Sequence, residues 1–434
     1  VWTYWASVSI PTYPFAQFLR SEPNALYGMA VSVFNRAAYA ASAPAPSAAT
    51  YQTLVVENAY LRLTFLPELG GRLYQCLFKP TNQVLFYNNA VIKPSYWGPL
   101  SRDENWWLAA GGLEWAFPVN EHGYAWGLPW KVSVRQDGSS ATVLLRSTEE
   151  PGQLQAEIAV SLAAGESRFT VEPRLTNGTE RSLPVQFWAN AMLAPGSDVL
   201  APEVRFEFPT QSVIVHSTGD ASLPPEGSTM PWPLVDGRDL SLYQNWQNWL
   251  GVFATEPLPP FAGLYNAAAD IGLARVLSGD VGGVKLFAFG SEFADLSTFS
   301  DNGSAYAELW VGSNRTFWPQ DDVMLGPGET LSWREVWVPV AGIGGYTVAS
   351  SEGVLRLERD GDSIVVGAFA PRPQKVALKL VTGGEVALTR WVLLEPAQPY
   401  MEKVMLAELG AAGEPVYLQM FTESGILMAQ TGTE

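Results

Sequence analysis

Residues 131–175, KVSVRQDGSSATVLLRSTEEPGQLQAEIAVSLAAGESRFTVEPRL, hold short runs in which apolar and polar residues alternate: Lys131 to Arg135, Ala141 to Arg146, Leu154 to Leu162 and Phe169 to Leu175. A period of two places every second side chain on one face of a strand, and the Gly, Asp and Ser residues between the runs supply turns. Runs so closely spaced predict antiparallel sheets packed as a sandwich or barrel. Similar runs, such as Leu61-Arg62-Leu63-Thr64-Phe65, recur from about residue 50 to the end of the 434-residue chain, and helical periodicity is nearly absent. The fold class expected is all-β.

The length suggests two or three domains, or one large β domain with an accessory. Residues 1–50 read differently from the rest. VWTYWASVSIPTYPF (1–15) reads as an edge strand ending in turn chemistry, PNALYGMAVSVFNRAAYAA (23–41) is apolar enough to pack on a larger body, and ASAPAPSAAT (41–50) reads as a loop. They are expected to form a covering arm on a main domain spanning 51–347. Within that domain the alternation thins between 200 and 270, where a long loop carries Trp232, Trp246 and Trp249 and could wall a cleft. After the Gly-rich exit at 342–345, residues 348–434 hold about six short strands, which suits a small Ig-like or fibronectin-like sandwich.

A net charge of −17, with scattered Lys and Arg, makes nucleic acid and anionic membrane surfaces poor partners. No apolar run is long enough for a spanning helix, so membrane insertion is not expected. The single cysteine, Cys76, allows no intramolecular disulfide and reads as a buried small hydrophobe. The chain begins at Val1 rather than Met, which is compatible with a removed signal peptide, and its Trp-rich, acidic, Lys-poor composition leans towards an exported carbohydrate-active protein. No zinc, phosphate-loop, dinucleotide or nucleophile-elbow fingerprint is present, so no cofactor is expected. Asp321-Asp322 lacks further oxygen ligands at a recognisable spacing and reads as a solvated turn, not a metal site.

The chemistry concentrates in GGLEWAFPVNEHGYAW, residues 111–126, with Glu114, Glu121, His122, Trp115 and Trp126, flanked by Trp106-Trp107 and Trp130. Sugars present C–H faces that stack on indole, and their anomeric centre reacts by proton transfer. An imidazole can change charge near neutral pH, which suits His122 to proton transfer, although a histidine satisfying turn hydrogen bonds is the plain alternative. Glu308 lies on the same face as Trp310 in the apolar run YAELWV, so it is solvated in a cleft or tuned for proton transfer. Glu114 could act directly, bind a hydroxyl or only orient His122. Most indoles in β-sandwiches are core; Trp115, Trp126 and one of Trp246 and Trp249 are the candidate stacking surfaces. His216, alternating with Ile214, reads as structural or surface.

VVENAYLRLTFLPELGGRLY (55–74), GGLEWAFPVNEHGYAW, FWANAMLAPG (187–196), YAELWVG (306–312) and LGPGETLSWREVWVPV (325–340), in this order, resemble the galactose mutarotase-like superfamily. They are most similar to a bacterial family of mutarotase-like domains related to aldose 1-epimerase and often fused to tetratricopeptide repeats, which this sequence lacks. The match covers about residues 5 to 347. It implies a β-supersandwich whose concave sheet carries a sugar cleft. In aldose 1-epimerases a glutamate acts as base on the anomeric hydroxyl and a histidine as acid on the ring oxygen. Glu308 and His122 match these, and Arg72 matches a cleft-lining arginine. The second active-site histidine of epimerases is absent; FWANAML places Asn190 or a neighbour there, an amide that donates and accepts but does not titrate. Sugar binding survives this change more readily than epimerase catalysis.

The leading expectation is an enzyme working at the anomeric centre of a sugar with Glu308 and His122 as base and acid. A second is a glycoside hydrolase on oligosaccharides using paired carboxylates such as Glu114 and Glu308, whose separation would distinguish retention from inversion. A third is a non-catalytic carbohydrate-binding protein. For the two enzyme readings the candidate catalytic residues are Glu308, His122 and Glu114, while Arg72, Trp115, Trp126, Asn190, Trp246, Trp249 and Trp310 are candidate sugar contacts, with no metal.

Overall fold

Lys131–Gln136, Ser140–Arg146, Leu154–Ala163 and Phe169–Asn177 form a meander in which each strand pairs antiparallel with the next. Along Leu154–Ala163 buried and half-buried residues alternate without a break, the burial that a period-two pattern dictates for one face against a core. The same sheet continues through Glu335–Ala341, Ile271–Leu277 and Phe261–Asn266 to Val204–Glu207. These coordinates are a computed structural model describing residues 1–433 apart from 28, 97–104, 120, 149, 151 and 411–413.

A larger sheet packs against this one. Its path runs from Thr229–Pro231 through Ser212–Thr218, Leu250–Ala254, Gly283–Ala288, Ala307–Gly312 and Trp188–Leu193 to Trp106–Ala116. It then continues through Asn88–Tyr96, Trp2–Thr12, Ser47–Glu57 and Leu61–Leu66 to Arg72–Phe78 and Gln83–Val84. Leu113 also pairs with Leu73, so this half of the sheet curls back onto Trp106–Ala116. That strand therefore changes neighbours part-way, from Asn88–Tyr96 to Arg72–Phe78, and the change falls at Gly111-Gly112. Both glycines have positive φ, and a Cβ on Gly111 would stand 2.1 Å from the Tyr87 carbonyl oxygen. Only glycine permits the two neighbours to converge there.

The two sheets bury their facing sides together. Leu113, Trp115, Ala189, Ala191, Leu309 and Val311 of the larger sheet share one apolar cluster with Ile158, Val171, Leu273 and Trp337 of the smaller. Arg275 lies between the sheets, fully buried. Its Nε donates to Glu335 at 2.8 Å, its Nη1 donates to the Leu309 carbonyl, and its guanidinium stacks 4.4 Å from the centroid of the Trp337 ring. The all-β class is thus met by a two-sheet β-sandwich.

The first 50 residues do more than cover this body. Trp2–Thr12 pairs along its whole length with Ser47–Glu57, and among the described residues its other edge pairs only with Ile92, at Thr12. The expected loop at 41–50 is shorter than its composition suggests: a helix at Arg36–Ala41, capped by the Asn35 side chain, runs into it, and the Ser47–Glu57 strand starts within it. Small residues such as Ala48 and Ala49 take strand conformation because Pro11 and Ile10 offer a ladder, a tertiary effect that outweighs local propensity. From Val348 onward the chain forms two four-stranded sheets enclosing an apolar cluster of their own, including Leu355, Val376, Leu418 and Met420.

Replacing Arg275 by Met would strand Glu335 as a buried anion held chiefly by the Trp333 indole, so a loss of about 3–5 kcal/mol is expected. Urea unfolding followed by tryptophan fluorescence reads it; an unchanged midpoint would show that the pair is dispensable.

Candidate active site

The face of the larger sheet turned away from the core carries the chemistry. Cross-strand pairing sets Glu114, Asn190, Trp310, Lys285 and Phe253 in one row, and Gly112, Met192, Glu308, Phe287 and Gly251 in the next. Two-residue alternation places both rows on the same face. Five strands far apart in sequence therefore present Glu114, Glu308 and Lys285 within two rungs.

His122 arrives from the loop that follows Trp106–Ala116. The Tyr124 amide donates to the Phe117 carbonyl, and Gly123, at φ 58°, packs so close to Phe117 that a Cβ would lie 2.4 Å from its nitrogen. This tight return folds the loop back over its own strand. His122 Nδ1 then lies 2.6 Å from Glu114 Oε1, and its ring stacks on Trp107 at 4.0 Å and 9°.

Glu114 is 3% exposed, yet three donors satisfy it. Besides His122, Arg72 Nη2 donates to Oε2 at 3.2 Å and Asn190 Nδ2 donates to Oε1 at 3.0 Å. Arg72 is fully buried, and its Nη1 also donates to the Gly111 carbonyl at 2.7 Å. Burial opposes ionisation of Glu114, but His122, Arg72 and Asn190 outweigh it and hold the carboxyl below its usual range. Glu114 is therefore an anion, Nδ1–H of His122 is the donor, and Nε2 is the nitrogen left to meet a ligand.

His122 and Glu308 line one cavity of about 540 Å³, within the range of small-molecule sites. Trp310 Nε1 donates to Glu308 Oε2 at 2.9 Å, fixing one carboxylate oxygen. Burial pushes the Glu308 carboxyl up, and His122, Lys285 and the Trp310 bond pull against that push. Lys285, 3% exposed, has no hydrogen bond or ion pair among the described residues; the Phe317, Trp310 and Phe287 rings surround its ammonium at 4.3, 5.1 and 5.6 Å. Burial lowers its pKa, while Glu121 and Glu308 support its charge. Glu121 lies beside His122 in left-handed backbone, φ 55°, and burial raises its carboxyl.

The sequence-derived candidates divide clearly. Glu308, His122, Trp310 and Trp249 line the cavity. Glu114, Arg72 and Asn190 stand behind His122 as its support and do not line it. Three indoles lie elsewhere. Trp115 points into the core between the sheets, where Nε1 donates to the Gly71 carbonyl, because neighbours along a strand face opposite ways and Glu114 takes the outer side. Trp126 is buried against Phe15, and Trp246 donates to the Leu240 carbonyl within the main core. His216, read as structural or surface, lies in the cavity wall: the register shifts between Val215 and Ser217 against Leu250–Ala254, and the bulge carries the ring there. Its Nε2 stands 3.6 Å from Glu121. Lys285, Glu121, Tyr306 and Trp107 escaped sequence reading. Lys285 could have been noticed as a lone cation in the apolar run GVKLFAF, whereas Tyr306 and Trp107 carry no signal beyond being aromatic. Asp321 and Asp322 serve a turn, accepting from Thr316 and Gln186, and among the described residues no group of His, Cys, Asp and Glu is arranged to hold a metal ion.

A two-sheet β-sandwich with a buried Glu/His pair opening on an aromatic cavity defines the class of protein. The chain belongs to the family described as "Domain of unknown function (DUF5107)", which it matches over residues 29–340. Among solved structures it is similar to a TPR-domain-containing protein from Parabacteroides distasonis, at 20% identity and a TM-score of 0.61 over 78% of this chain. This chain spans 55% of that protein's length. It is also similar to a galactose mutarotase-like protein from Clostridium acetobutylicum, at 11% identity and a TM-score of 0.47, covering 67% of this chain and 96% of that one. A galactose mutarotase related enzyme from Lactobacillus acidophilus matches at 12% identity and 0.42, covering 67% and 97%.

Glu114→Gln preserves shape but removes the anion between Arg72 and His122. A stability loss of about 3 kcal/mol or more is expected from the buried guanidinium left unpaired. Urea unfolding checks it, with Arg72→Met/Glu114→Met as the partner that restores much of the loss.

Proposed function

We propose that this protein acts at the anomeric centre of a sugar, with Glu308 as general base and His122 as general acid. The observation that carries the reading is that two segments almost 190 residues apart deliver a carboxyl and an imidazole to one cavity, each held by a partner behind it: Trp310 for Glu308 and Glu114 for His122. The likeness to proteins titled galactose mutarotase-like or galactose mutarotase related agrees with this reading.

In the reaction Glu308 Oε1 takes the proton of the C1 hydroxyl while His122 Nε2 gives one to the ring oxygen. The C1–O bond to the ring oxygen breaks and C1 becomes a carbonyl. Rotation about C1–C2 and reclosure on the other face, with both protons returned, yields the opposite anomer. The Glu114 carboxylate orients the imidazole that must donate, and the raised Glu308 pKa brings the base nearer the working pH. Asn190 does not take part as a second histidine would; it braces Glu114.

Hydrolysis by Glu114 and Glu308 is not favoured, since every role Glu114 plays is already filled by Arg72, His122 and Asn190. A non-catalytic sugar-binding protein is the second reading, and Asn190, an amide that does not titrate where a strand histidine would stand, favours it.

Glu308→Gln should lower the rate of anomer interconversion, followed by NMR on glucose and galactose, by about 10²-fold or more, with the unfolding midpoint within about 1 kcal/mol of wild type. Wild-type turnover in this variant would remove Glu308 from the mechanism. Because the base must be ionised, activity falls as pH drops through the Glu308 pKa, and that limb is expected above the ordinary glutamate value of 4.5. Lys285→Met removes a cation that favours the ionised form, so the limb should move to still higher pH; a shift to lower pH would contradict this electrostatic role.

A further inference from the structure

The cavity has two unlike ends. Around Glu308 and His122 the wall is polar and holds unmet hydrogen-bonding capacity. Tyr306 Oη and Trp107 Nε1 belong to residues 1% exposed that line the cavity, and neither has a partner among the described residues. Beyond Phe287, the cross-strand partner of Glu308, the wall turns aromatic, formed by Phe289, Phe293, Phe299, Trp249 and Tyr96.

This aromatic end is built rather than accidental. Phe293 stacks on Phe289 at 5.0 Å and 27°, Phe299 packs on both, and Trp249 meets Phe293 edge-on at 5.5 Å. Gly219 leaves room for the Trp249 ring, since a Cβ there would come within 2.3 Å of it. The rings are locked by one another, so a ligand meeting them costs little side-chain ordering. None of them belongs to the core between the sheets. A single ring held at Glu308 and His122 would leave this wall unused.

Charge narrows the ligand further. Glu121, Glu226, Asp295 and Glu308 line the cavity against one lysine, Lys285. A phosphate or carboxylate on the ligand would meet this acidic surround, and like charges at close range disfavour binding. Asp295, two residues from Phe293 and exposed, is an acceptor for hydroxyls at the edge of a ring whose face lies on the phenyl groups, while Glu226 lies on the Glu121 side of the cavity.

We infer that the cavity takes a neutral reducing disaccharide or a longer oligosaccharide, its reducing ring at Glu308 and His122 and its second ring stacked on the Phe289, Phe293 and Trp249 wall. This rests on the anomeric-centre reading for the orientation of the chain. Stacking of the sugar's C–H face on these rings supplies affinity, and the acidic lining excludes anionic sugars.

The test is calorimetric binding of maltose, cellobiose and lactose beside glucose, galactose and glucose 6-phosphate, to the wild-type chain and to Phe293→Ala and Trp249→Ala. At least one disaccharide should bind about tenfold or more tighter than either of its component monosaccharides, and glucose 6-phosphate should bind no tighter than glucose. Either aromatic variant should lose about tenfold for that disaccharide and less than about twofold for the monosaccharides. The wild-type comparison stands even if one variant fails to fold. No disaccharide preference, tightest binding of glucose 6-phosphate, or no binding across the panel overturns the proposal. Glu308→Gln separates it from the catalytic reading: a disaccharide bound equally by wild type and variant but interconverted by neither removes the catalysis and keeps the subsite, whereas interconversion of monosaccharides without a disaccharide preference does the reverse.

Discussion

A carboxylate removed from water has to be paired, and the Glu114 side chain organises one face of the larger sheet through that requirement. Its two oxygens take donors from three separate segments: the start of Arg72–Phe78, the strand Trp188–Leu193 and the loop carrying His122. Arg72 reaches it only because Gly111-Gly112 lets Arg72–Phe78 approach Trp106–Ala116, and the Gly111 carbonyl, freed at this change of neighbours, takes the second guanidinium bond. Backbone topology, glycine placement and the orientation of a histidine ring thus all meet at one buried charge. The energy of such a pair over an apolar replacement is small, but breaking it is expensive, so its effect is to fix geometry.

A second buried pair works from the other side. Arg275 with Glu335 lies in the core between the sheets, and its guanidinium reaches the Leu309 carbonyl and stands 3.5 Å from the Ala189 carbonyl. Leu309 and Ala189 are the immediate neighbours of Glu308 and Asn190 on the strands that carry the site. Those strands are therefore held from behind by a guanidinium and in front by the Glu114 network. Groups that exchange protons must keep their separation within a few tenths of an ångström, and strands clamped on both faces do this better than loops.

Alternation made the sandwich legible: the meander over 131–177 follows its period-two runs, and the positions of Glu308 and Trp310 on a shared face follow from the spacing of YAELWV alone. Partner identity was not legible in the same way. Nothing local states that Asn190 faces Glu114 on one side and Trp310 on the other, because register is set by loops and by the competing burial of the opposite face. Trp115 was misplaced for the same reason: proximity in sequence to Glu114 puts it on the opposite side of the strand. His216 was hidden by a bulge, which breaks the parity on which such reading depends. Lys285 became meaningful only when Trp310 of the paired strand and Phe317 of a loop came around it, beside Phe287 of its own strand.

Lys285 also explains how so acidic a cavity can hold a titratable base. Left to burial, Glu308 and Glu121 would both favour the protonated form, and a protonated Glu308 cannot accept a proton. A cation among aromatic rings offsets that tendency without forming a tight ion pair, which would occupy the carboxylate oxygen needed by the ligand. Trp310 belongs to both arrangements: its ring face receives the ammonium, and its Nε1 donates to the carboxylate that the ammonium supports. The aromatic content of this acidic chain is therefore not only a candidate surface for stacking sugars, because around Lys285 it also holds a buried positive charge that, together with His122, favours the ionised base against burial.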